Sequence, residues 1–128
     1  MDYFSSNSML LMEKSMNYLW TKQAAISDNI ANAETPNYKE KLVTFEESLR
    51  EKMEQAMRSN TPRASMRETL RDAEFAVVRT KESTRMDDNG VNTTEQMVEL
   101  VRNAYQLQYV MNAISTDLST LRTAINGK

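Results

Sequence analysis

A chain of 128 residues, 40% apolar and with a formal charge of −2, can build one modest core and carries no electrostatic footprint for nucleic acid. It has no cysteine and no histidine, which removes disulfides, thiol chemistry, the commonest general base and the commonest metal ligand together. Only two glycines and two prolines interrupt it, so long regular elements with few loops are expected, and no catalytic residue, cofactor, metal or small-molecule substrate is predicted.

The opening residues, Met1-Asp2-Tyr3-Phe4-Ser5-Ser6, lack the basic and apolar regions of a cleaved secretion signal. No apolar run approaches the ~20 residues of a membrane helix, so the chain is not expected to span a bilayer. From Met9 onward, apolar residues recur in steps of three and four: Met9, Met12, Met16, Leu19, Ile26, Ile30 and Ala33, with Gln23 as the polar member. That spacing predicts an N-terminal helix within 1–34 which packs along its length against another helix. Trp20 and Tyr18 flank this line and are read as packing residues. Pro36 forces Thr35 out of the helical region and ends the element. Asn29 and Asn32 fall in the last turns, where amide side chains can satisfy helix carbonyls or the following turn. Asn37 then stands where a positive φ would be tolerated better than by other non-glycine residues.

Residues 35–93 form a distinct middle segment. Phe45, Leu49, Met53 and Met57 are spaced for a short amphipathic helix, with Glu46–Arg50 and Glu54–Arg58 as favourable i,i+4 pairs. Asn60-Thr61-Pro62 ends it, and a second short helix is expected around Met66 to Ala73. Phe75-Ala76-Val77-Val78 reads as a strand and Asn89-Gly90 as a two-residue turn, which together predict a small β-hairpin ahead of the last helix. Asp87, Asn89 and Gly90 fail as a calcium loop, because Arg85 and Gln96 fall where carboxylates are required.

The C-terminal segment, 94–128, opens on Asn92 and Glu95, a capping-box spacing. Met97, Leu100, Ala104, Leu107, Met111, Ile114, Leu118, Leu121 and Ile125 then keep the three–four alternation without a polar break. Helices of about 28 and 32 residues, about 42 and 48 Å long, fit an antiparallel pair. The fold class expected is therefore mainly α: two long terminal helices paired as a coiled-coil-like layer, with a short helix and a small β-hairpin between them. Ten methionines add side chains flexible enough to pack against non-identical neighbours.

The stretch Ile26-Ser27-Asp28-Asn29-Ile30-Ala31-Asn32-Ala33-Glu34-Thr35-Pro36-Asn37-Tyr38-Lys39 resembles the N-terminal signature of flagellar axial rod and hook proteins. The tail, from Glu95-Gln96-Met97-Val98-Glu99-Leu100 through Asn103-Ala104-Tyr105 to Leu121–Gly127, resembles the C-terminal signature of the proximal rod members. Asn37 departs from the family, many of whose members have glycine there. The resemblance implies a structural, self-assembling rod subunit of the basal body in the cell envelope, on the periplasmic side, exported by the type III apparatus without a cleaved signal. Asn29, Asn32, Thr35, Pro36 and Tyr38 are then the family motif, and the two apolar lines are the assembly seam. The implied partners are further copies of the chain, other rod subunits, the membrane-ring/rod junction protein and the type III export gate. A type III export chaperone, also small, acidic and helical, is the alternative.

Overall fold

Ser6 caps the first helix by accepting a hydrogen bond from the Met9 backbone N–H at 3.1 Å, and α1 then runs Asn7–Ala31. In this computed structural model, residues 6–80 and 90–127 are described, with the backbone alone for 46–48. The elements that follow are β1 (Lys41–Thr44), α2 (Glu46–Met57), α3 (Pro62–Arg71), β2 (Ala76–Arg79) and α4 (Thr93–Asn126).

The two long helices pack against each other and run antiparallel: Asn29 meets Gln96, Lys22 meets Glu99 and Leu19 meets Asn103. Their lengths are 25 and 34 residues, so α4 continues past the first residue of α1. The Asn92 side chain accepts from the Glu95 backbone N–H, and Gly127, at φ 67°, closes α4 in the left-handed conformation that glycine adopts without strain.

The middle segment folds back along α1. Pro62 sits in the first turn of α3, where its missing N–H costs nothing. Lys14 reaches from α1 to the other end of α3 and donates to the carbonyls of Arg71 and Ala73, both at 3.0 Å. A cation there complements the helix C-terminus. α2 and α3 pack together, and the core gathers Tyr18, Leu19, Phe45, Leu49, Leu70, Ala73 and Leu107. Tyr18, Phe45 and Phe75 form an aromatic cluster with centroids 5.1–6.3 Å apart. Tyr18 is thus a packing residue, whereas Trp20 is 56% exposed.

The two strands pair antiparallel, with Lys41 opposite Arg79 and Thr44 opposite Ala76. The sheet expected from sequence is present, but its partner strand is Lys41–Thr44, reached across α2 and α3. Its four residues, Lys-Leu-Val-Thr, are too few for a two-residue period to stand out. The turn expected at Asn89-Gly90 lies partly outside the described residues. Gly90 itself donates its N–H to the Tyr38 carbonyl at 3.1 Å, which ties the approach to α4 to the turn after α1.

Candidate assembly interface

The turn that leaves α1 is built by its own sequence. The Asn32 side chain donates back to the Asp28 carbonyl at 2.8 Å, satisfying a terminal acceptor, and its Oδ1 accepts from the Thr35 hydroxyl at 3.2 Å. Tyr38 N–H bonds the Thr35 carbonyl at 3.3 Å, closing a four-residue turn with Pro36 second and Asn37 third. Asn37 has φ 59°. Proline followed by a positive φ is the pattern of a type II turn.

Asn29 is the centre of the arrangement and is fully buried. Its Nδ2 donates to the Lys41 carbonyl at 2.9 Å and to Gln96 Oε1 at 3.0 Å. Its Oδ1 accepts from Lys41 N–H at 2.8 Å and from the Tyr38 hydroxyl at 3.3 Å. One side chain thereby joins the end of α1, the exit turn, the outer edge of β1 and the start of α4. Gln96, also buried, passes the network on by donating to the Glu40 carboxylate. Burial first, and then the nearby Glu95 carboxylate, push the Glu40 pKa up, against the lowering effect of the Gln96 hydrogen bond. Around this centre, Lys41 pairs with Asp28 at 2.6 Å, and the Arg79 guanidinium lies 5.9 Å over the Tyr38 ring.

Residues 15–39, which include this turn, match the family model described as "Flagella basal body rod protein". The chain is also 26% identical over 125 residues to the flagellar basal body rod protein FlgB of Bacillus subtilis (strain 168), an alignment that covers 95% of each chain. The likeness to flagella basal body rod proteins is thus carried by this turn and, at 26% identity, by the length of the chain.

The chain divides its two apolar lines unevenly between interior and surface. On α1, Leu19 and Ile26 are buried, and Met9, Met12, Met16 and Ile30 are half-buried. On α4, Leu107 is buried, while Leu100, Ile114 and Leu121 are half-buried. Met97, Met111, Leu118 and Ile125 are exposed. The side of α4 that meets α1 includes Gln96 and Asn103, two amides that a search for apolar repeats passes over. Beside it, Met97, Val98, Val101, Tyr105, Tyr109 and Met111 lie open along about four turns, Tyr105 at 70% and Tyr109 at 75% exposure. Tyr105 and Tyr109 also rim an apolar groove of about 680 Å³ between α2 and α4, floored by Tyr18 and Leu19.

Among the described residues no cluster of three metal-ligating side chains occurs, and no helix is long and apolar enough to cross a membrane. The motif residues Asn29, Asn32, Thr35, Pro36 and Tyr38 come together in one turn. Gln96, Lys41 and Glu40 complete their network and were not singled out in advance as site residues. For Gln96 the available signal was indirect, an amide partner on α1 in Asn29.

Proposed function

We propose that the chain builds the proximal part of the rod by reserving one face of α4 for its own α1 and presenting the adjacent face to neighbouring subunits. The observation that carries this reading is the open apolar face of Met97, Val101, Tyr105, Tyr109 and Met111. A contiguous apolar surface on a single chain marks a contact with another macromolecule. Neighbours seated there would extend the two-helix layer around an axis and enclose the export path, and the stacked helices would transmit torque. The motif turn keeps α4 at a fixed position against α1, so every copy presents the same face. The expected neighbours are further copies, other rod subunits, the membrane-ring/rod junction protein and the export gate. The site lies on the periplasmic side, reached by type III export. The chain performs no catalysis in this role.

The test is a deletion strain complemented with an epitope-tagged chain. Motility should return, and the tag should co-purify with basal bodies and map to the base of the rod by immuno-electron microscopy. A tagged chain found only in the cytoplasm as a stable dimer would favour the export-chaperone reading instead.

A further inference from the structure

Asn103 is fully buried at the middle of the α1–α4 contact, one turn from buried Leu107. Its Nδ2 donates to the Leu19 carbonyl at 3.0 Å and to Gln23 Oε1 at 2.7 Å, while its Oδ1 has no partner among the described residues. Gln23 is the polar member of the apolar line on α1. A buried amide in an apolar seam weakens the pairing, yet it penalises every arrangement that leaves it unpaired.

A three–four repeat lets two helices slide by one heptad with apolar residues still facing apolar residues. Here such a slide fails. Bringing Gln96 opposite Gln23 places Asn103 against Met16, and the opposite slide places Asn103 against Ile30 and Gln23 against Val110. A second α4 docked on this face would displace the Leu19 carbonyl and the Gln23 amide that hold Asn103 here. The Asn29–Gln96 bond fixes the turn end of the pair, and Asn103 with Gln23 sits two turns farther along, towards the free ends.

We propose that Asn103 and Gln23 are the specificity-determining residues of the helix pair, holding α4 to α1 in this one alignment. The inference rests on the rod-subunit reading only for its consequence, which is that all copies present the same outer face. The test uses the full chain with Gln23→Leu and Asn103→Leu together. The chain has no cysteine, so Ser27→Cys and Thr116→Cys, both at exposed positions, accept spin labels at those two sites alone. The parent should give one interspin distance. The double-leucine chain, with a Tm at or above the parent's, should show a second population displaced by about 10 Å, one heptad of helix rise, or a raised mass by light scattering. An unchanged single distance together with an unchanged mass would overturn the proposal, as would a lowered Tm with no mispairing, since that is the mark of a residue that only packs. Motility and basal-body counts are scored in parallel. A mispaired chain that still builds normal rods would count against the assembly reading while leaving the alignment role intact.

Discussion

Asn37 holds φ 59° directly after Pro36, in the third position of a turn closed by Tyr38 N–H on the Thr35 carbonyl. Non-glycine residues pay about 1–2 kcal/mol for the left-handed region, asparagine less because its side chain bonds locally. Asn37→Gly should therefore be neutral or slightly stabilising. Asn37→Val should lose about 1–2 kcal/mol in urea unfolding, and equal stability of the two variants would refute the turn assignment. Glu40 lies on the same network with a raised pKa. Its folded form favours the proton, so its stabilising contribution is complete below the ordinary value of 4.5 and is lost as pH rises through the raised folded value. Glu40→Gln keeps an acceptor for Gln96 and removes repulsion from Glu95. Its Tm should exceed the parent's by a few degrees at most at pH 7 and match it in acid. A constant difference from pH 4 to 8 would show that the charge is not responsible.

At the scale of elements, α4 is two helices' worth of chemistry in one. Its first half carries the buried residues Gln96, Asn103 and Leu107. Counting one for one from Leu19 opposite Asn103, α1 begins, at Asn7, opposite about residue 115. Beyond that point Leu118 and Ile125 are exposed, and Thr116, Thr120 and Thr123 turn their hydroxyls back onto carbonyls four residues earlier. Such back-bonding slightly weakens a helix. Hydrogen exchange should show residues 100–110 opening near the global unfolding free energy and residues 118–126 opening far more readily. Uniform protection along α4 would contradict this division.

The same helix explains what the sequence made legible. Caps, the proline stop and the antiparallel pair follow from local residue chemistry, so α1 and α4 were readable to within a few residues. The rotation of α4 was not. Apolarity favours Met97 and Ala104 over their neighbours Gln96 and Asn103, and only the facing amides Asn29 and Gln23 give those two a reason to turn inward. Strand β1 was hidden for a related reason: its anchor is the side chain of Asn29, twelve residues before Lys41, and no local pattern reveals that bond.

For the whole molecule, the decisive distinction is between a residue that holds the chain together and one that holds subunits together. Leu107 belongs to the core with Tyr18, Leu19 and Phe45 and is 7% exposed. An aspartate there leaves a buried, unpaired carboxylate and should destabilise the free subunit by about 3–5 kcal/mol, so any loss of rods follows from loss of fold. Val101 and Tyr105 occupy the adjacent open face. Val101→Asp with Tyr105→Asp keeps both charges in water in the free chain, so unfolding should stay within ~0.5 kcal/mol per site of the parent. In a rod, the same carboxylates would have to be desolvated against an apolar neighbour. The double-aspartate chain should therefore be made, exported and folded at normal levels, yet yield non-motile cells without rods in electron micrographs of basal bodies. Leu107→Asp should instead lose cooperative unfolding in the purified protein. Normal rods built from the double-aspartate chain would remove the open face of α4 from the assembly, and the contacts between subunits would then have to be sought on α1 or the middle segment.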